Sequence, residues 1–201
     1  MMAQQLTASD VEAIFPEVSG IASNTLRNAV IEIWREIAAE MAWEDLRVIP
    51  KNNGAEKHRS LVGHTRGVTQ MAVHICETAK ALHGRDYDRD LLLAACLLHD
   101  VSKPVESEPL PDAPETVPGV AAGRTSKLGK NVPHAVYATA KVFAHGLPIE
   151  LAHLVATHTH SSNERGKTWE ASAIFYADFA DSDAARSMVD GKMYSERWHL
   201  K

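Results

Sequence analysis

Apolar residues recur at helical spacing along most of the chain. Leu26, Val30, Ile33, Trp34, Ile37 and Met41 follow one another at three- and four-residue intervals, with Ser23 or Asn24 placed to cap the start of this helix. A second series opens near His64, runs through Val68, Met71, Ala72, Ile75, Ala79 and Leu82, and stops at Gly84, which suits a left-handed helix end. Asp88 or Asp90 caps a third helix, whose unbroken apolar run from Leu91 to Leu98 predicts burial on every side and closes on His99 and Asp100. From Pro104 to Pro133 the periodicity vanishes and Pro, Gly, Ser and charged residues take over, so one long loop is expected there. Helical spacing returns from Pro133 to Gly146 and resumes after Pro148 until about His158, predicting two helices joined by a Gly-Leu-Pro turn. A last helix is expected from Trp169 to Arg186, and the tail from Val189 to Lys201 carries no assignable pattern. The fold class is therefore all-α, a compact multi-helix bundle without internal repeats.

Composition narrows the class without changing it. With 201 residues, 45% hydrophobic and 23% charged, the chain is long enough to bury a core of its own, and one domain is the simplest count. A net charge of -5 offers no general attraction to nucleic acid or anionic membrane, and no basic stretch is interleaved with aromatic residues, so a nucleic-acid partner is not expected. Cys76 and Cys96 both lie in apolar helical stretches, which argues against a disulfide framework or a thiolate zinc site and fits a reducing cytoplasm. The first ten residues are polar, and no apolar run approaches the roughly 20 residues of a spanning helix, so neither secretion nor membrane insertion is expected.

The chemistry is carried by His99 and Asp100. Two ionisable side chains at the end of a buried helix cost several kcal/mol unless compensated, and a shared divalent cation compensates both. In chain order the candidate ligands are His64, His99, Asp100, His134, His158 and Asp178, dispersed over ends or apolar faces of different predicted helices. Such dispersal suits a site assembled inside a bundle. Four imidazoles and two carboxylates exceed the needs of one tetrahedral ion and suit a pair of octahedral ions, with Asp100 placed to bridge them. Because His160 lies two residues beyond His158, the two could exchange roles if the helix ends early; otherwise His160 is a candidate substrate contact. His74, His83, His145 and His153 fit exposed or structural roles, while His58 and His199 are left open.

The order His, His-Asp, then a distal Asp, carried here by Gly63-His64-Thr65-Arg66, by Leu97 to Lys103 and by Tyr176-Ala177-Asp178, resembles the HD-domain superfamily of metal-dependent phosphohydrolases. The likeness spans roughly His64 to Asp181. It implies the HD-type bundle, makes Asp178 rather than Asp181 or Asp183 the last ligand, and favours His158 over His160. His134 and His158 match the two extra histidines of members that bind two metals. The whole chain, 1–201, then reads as a single HD-type domain, with residues 1–55 an N-terminal helical extension, 56–187 the core and 188–201 a tail. Trp34 and Trp198 would cover the core or a neighbouring subunit, so a homodimer is one alternative.

The resemblance implies a metal-dependent hydrolase acting on a nucleotide or other small phosphoester through hydroxide generated at two divalent transition metals. Iron or manganese is expected, with cobalt, nickel or zinc as alternatives. Lys103, one turn beyond Asp100, is the expected phosphate contact and Arg66 a second one. Arg124, Lys127 and Lys130, set among glycines and hydroxyl residues just before His134, form a candidate phosphate clamp, against the alternative of a solvated loop. His158-Thr159-His160 is also similar to the His-Thr-Thr-like sequence of HD-type diadenosine tetraphosphate hydrolases, which favours phosphoester hydrolysis. Two other classes stay open: a di-iron oxygenase of the same ligand set cleaving C–C or C–P bonds, and a ligand-binding HD module without turnover.

Overall fold

A computed structural model describes residues 5–159 and 164–198. Among the described residues the chain is all-α apart from one short ribbon, as its periodicity predicts. Helix α1 (Ala8–Ile14) starts at a capping box in which Thr7 and Asp10 exchange hydrogen bonds. After a 3-10 turn at Pro16–Gly20, α2 (Asn24–Glu40) begins at Ser23, whose hydroxyl accepts from the Leu26 N–H. Its Val30, Ile31, Ile33, Trp34, Ile37 and Ala38 face inward. Ser60 caps α3 (Leu61–His83), and Gly84, at φ 66°, ends it in the left-handed conformation that glycine adopts without a Cβ clash.

Helix α4 (Arg89–Leu98) is the centre of the bundle. Asp88 caps it by accepting from Leu91 N–H at 2.9 Å. Asp90 instead accepts from the Ala22 and Ser23 amides at 2.8 and 2.7 Å, tying the start of α2 to the start of α4. Every residue from Leu92 to Asp100 is buried. Each fully buried leucine there contributes about 1.5–3 kcal/mol, which anchors the helix end that carries the two ionisable residues. Trp34 is fully buried, packs 4.5 Å from the Phe15 ring and donates to the Leu97 carbonyl at 3.0 Å.

The segment expected as one long loop contains four short elements. They are α5 (Lys103–Glu106), β1 (Ser107–Pro109), β2 (Gly123–Thr125) and α6 (Lys127–Asn131), with the strands antiparallel and Glu108 opposite Arg124. Elements of three to five residues hold too few positions for a period to register. Tertiary bonds hold them: the Ser126 amide and hydroxyl donate to the Glu106 and Val105 carbonyls, and the Trp43 indole donates to the Ser107 carbonyl. A Cβ at Gly129 would collide with the Glu106 carbonyl oxygen, so this close approach requires glycine.

Helix α7 (Val136–Ala144) starts three residues later than the pattern predicts, because Ala135 takes φ 72° and breaks the helix after His134. Helix α8 (Ile149–Thr157) follows Pro148, and α9 (Trp169–Ser187) runs back along α3. The unassigned tail contains α10 (Tyr194–Trp198), which contacts α9. One hydrophobic cluster joins residues of α1, α2, α3, α4, α7, α8 and α9. Among the described residues no helix is long and apolar enough to cross a membrane.

Candidate metal centre

Five elements deliver the six expected ligands to one place. His64 comes from the first turn of α3, His99 and Asp100 from the end of α4, His134 from the turn before α7, His158 from the residue after α8, and Asp178 from the middle of α9. His64, His99 and Asp100 are fully buried and His158 nearly so. The donor atoms fall into two groups, His64, His99 and Asp178 in one and Asp100, His134 and His158 in the other, each within 4.8 Å of one another. Asp100 turns one oxygen to each: Oδ2 lies 3.3 Å from His64 Nε2 and 3.6 Å from His99 Nε2, and Oδ1 lies 2.9 Å from His134 Nε2 and 3.7 Å from His158 Nε2.

The outer nitrogens determine what the inner ones offer. His99 Nδ1 and His158 Nδ1 each lie 2.6 Å from a main-chain carbonyl, of Cys96 and Val155, and a carbonyl only accepts. Both rings therefore carry a proton on Nδ1, and Nε2 of the neutral ring is a bare lone pair. His64 Nδ1 faces Asp181 Oδ2 at 2.6 Å and His134 Nδ1 faces Glu106 at 3.1 Å, which orients them the same way. The four Nε2 atoms consequently converge, His64 with His99 at 3.1 Å and His134 with His158 at 3.3 Å. Lone pairs at that separation repel unless a cation or a proton compensates them. Asp100 Oδ1, buried and without a hydrogen bond of acceptable geometry despite the nearby His134, makes the same demand. This donor set, nitrogen and carboxylate oxygen with no thiolate, fits divalent transition metals. Burial pushes the Cys76 thiol up to about 11 and the Cys96 thiol higher still, which keeps both out of ligand chemistry.

Electrostatics hold Asp100, Asp178 and His99 in metal-binding form, whereas at His134 burial is outweighed by the Asp100 and Glu106 carboxylates, which raise the imidazole above its ordinary value. Burial works to raise the Asp100 and Asp178 carboxyls, yet the Lys51 ammonium and neighbouring imidazoles outweigh it, holding Asp100 well below the usual range and Asp178 at about 2. Burial drives His99 down to about 3, so its ring stays neutral.

Three contributors were absent from the expected set. Lys51, in the segment before α3, reaches the first group directly: Nζ lies 2.6 Å from His64 Nε2, pairs closely with Asp100 Oδ2 and lies 3.9 Å from Asp178 Oδ1. Asp181 and Glu106 hold the rings of His64 and His134 from behind, and burial notwithstanding, their partners keep both carboxyls low, Glu106 at about 2. No local motif marks Lys51. The spacing of Asp178 and Asp181, three apart on one helix face, was the one available sign of a ligand backed by a second carboxylate. A Cβ at Gly67 would collide with Asp181 Oδ1, so this glycine of α3 admits the α9 carboxylate. Asp181 also pairs with Arg59, which pairs with Glu56, and Glu56 with Arg186. Asp181→Asn is expected to weaken metal binding by about 10–100-fold, read by titration against a chromophoric chelator. Unchanged affinity would show that His64 needs no carboxylate behind it.

The expected substrate contacts divide. Lys103 stands at the site, restrained by Glu106 at 3.3 Å, and lines both a 190 Å³ cavity over the ligands and an adjoining 600 Å³ cavity that also touches Lys51, Asn52 and His134. Arg66 is turned away and bonds Glu17 at 3.0 Å; Arg124 is exposed and pairs with Glu108 across the ribbon at 2.7 Å. Lys127 and Lys130 are exposed on α6 and line neither cavity. The clamp is not assembled because the ribbon and α6 carry these cations outward. His160 lies outside the described residues. His145 and His153 have structural partners, Glu36 at 2.9 Å and the Lys167 amide at 3.2 Å, as expected, and His58 contacts the Ala185 carbonyl.

Comparison with known proteins agrees with this geometry. The chain is 31% identical over 125 residues to a protein of Methanocaldococcus jannaschii named dihydroneopterin 2',3'-cyclic phosphate phosphodiesterase. The match covers 61% of this chain and 46% of that relative, so the chain spans about half the relative's length. No solved structure matches the chain. The HD domain family matches residues 61–183, a stretch that begins with α3 and contains all six converging side chains, and the chain belongs to that family.

Proposed function

We propose that the chain is a metal-dependent phosphohydrolase that opens a small phosphodiester, using two divalent cations held side by side. The observation that carries this reading is Asp100, which offers one carboxylate oxygen to each of two imidazole groups. His64, His99, Asp178 and Asp100 would hold one ion, and Asp100, His134 and His158 the other. Iron or manganese suits this set, with cobalt, nickel or zinc as other occupants. Bound there, such ions supply hydroxide near neutral pH and neutralise charge growing on a phosphoryl group.

The chain's own residues do the remainder. Lys103 presents a fixed positive charge to a non-bridging phosphoryl oxygen at the junction of the two cavities, and Glu106 limits its wandering. Glu106 and Asp181 keep the His134 and His64 rings turned inward. The buried wall of α4 excludes bulk water from one side. The 600 Å³ cavity has room for the organic part of a small ester. The relative's printed substrate, a 2',3'-cyclic phosphate, supports a cyclic phosphodiester as the class to try first.

The test is ring opening of 2',3'-cyclic nucleotides, followed chromatographically, by chelator-stripped protein reloaded with manganese or iron, with and without oxygen. Ring opening that needs metal and not oxygen is the expected result. Turnover only with oxygen would favour the oxygenase reading, and metal binding without turnover on a wider phosphoester panel would favour a binding module. Lys103→Ala should raise KM by about 10–100-fold at unchanged metal content, the worth of a charge-assisted hydrogen bond.

A further inference from the structure

Lys51 has no role in the ligand set, yet its ammonium stands inside it. Its main chain is fixed: the Lys51 amide donates to the Arg59 carbonyl at 2.9 Å, the Leu61 amide donates to Ile49 at 2.8 Å, and Pro50 pairs with Ser60. Only the side chain is left to move. Among the described residues, the close polar partners of Nζ are His64 Nε2, Asp100 Oδ2 and Asp178 Oδ1. These are the atoms that the first group would give to a metal. His64 Nδ1 is engaged by Asp181, so the electron pair that accepts the lysine N–H is the same pair a metal would take. An ammonium and a divalent ion cannot share that position, because their repulsion grows as water is excluded.

The side chain has a second place to go. Lys51 lines the 190 Å³ cavity over the ligands and also the adjoining 600 Å³ cavity, where Lys103 and His134 face it. We propose that Lys51 is a tethered cation occupying the first metal position, that the incoming ion displaces it, and that the displaced ammonium joins Lys103 as a second phosphate contact. The inference rests on the metal-centre reading above. Displacement would link phosphate binding to metal loading: without metal, Lys51 is spent on Asp100 and His64, and with metal it is released to the substrate side.

Manganese titration of stripped protein, with free ion read by electron paramagnetic resonance, tests the competition. Lys51→Met and Lys51→Gln are expected to take their first equivalent about tenfold more tightly than the unsubstituted protein, since the competing cation is gone. Equal or weaker affinity overturns the proposal. A measurement on the unsubstituted chain guards against variants that fold poorly without metal. Reductive methylation with formaldehyde, mapped by mass spectrometry, should leave Lys51 protected in stripped protein and modify it once manganese is bound. Equal modification in both states overturns the proposal. If the unsubstituted protein binds no divalent transition metal, the metal-centre reading itself fails; if it binds manganese while Lys51 behaves identically in both states, only this inference fails.

Discussion

On the proposed two-metal phosphodiesterase reading, Asp100→Ala protein is expected to emerge from purification without either metal, and hydrolysis of a cyclic phosphodiester to fall by about a thousandfold or more. The expectation follows from the division of one carboxylate between two imidazole groups. Oδ2 faces His64 and His99, Oδ1 faces His134 and His158, and removing the side chain disarms both. Asp178 faces the first group alone, so Asp178→Ala should lose one equivalent and keep the other. Elemental analysis beside turnover separates the cases. Two retained equivalents in Asp100→Ala would show that Asp100 is not shared between the two groups. Compared with metal-stripped unsubstituted protein, the variant should also be less stable, because Lys51 loses its nearest carboxylate. Breaking one partner of a buried ion pair costs about 3–5 kcal/mol.

Trp34→Ala should destabilise the chain by about 3–5 kcal/mol, the range for truncating a buried tryptophan. Two terms combine here. The indole is fully buried against Phe15, and its N–H satisfies the Leu97 carbonyl near the end of α4. Trp34→Phe keeps most of the apolar contact and leaves that carbonyl unpaired, so it should cost only about 1–3 kcal/mol. Denaturant unfolding of metal-loaded protein measures both. Because Leu97 lies two residues before His99, the Ala variant should bind metal more weakly too; full metal affinity at reduced stability would show that the α4 end is held without α2.

Much of this architecture was legible in order along the chain. The long helices follow from apolar spacing, and several of their ends from Ser23, Asp88, Gly84 and Pro148, because caps act through hydrogen bonds and φ preferences within a few residues of themselves, whereas the Ser60 cap of α3 had no reading in the sequence. The six side chains that converge were legible as an ordered set of histidines and aspartates next to apolar runs. What was not legible has a common cause. The pairing of β1 with β2, the seat of α6 on the Glu106 carbonyl and the late start of α7 at Ala135 depend on contacts between segments, and their own lengths carry no period.

The same cause explains the cations. Arg66, Arg124, Lys127 and Lys130 have the right charge for a phosphate and lie near ligands in sequence, yet the backbone aims them at Glu17, at Glu108 or at solvent. Lys51 lies 49 residues from Asp100 and carries no motif, yet the clip between Pro50 and Ser60 drives it into the centre. Sequence by itself determined the helical class, most helix ends and the set of candidate donor residues, because each is a property of residues and their near neighbours. Tertiary structure alone decided which charges meet those donors, because a charge acts over a few ångströms of space whatever its distance along the chain.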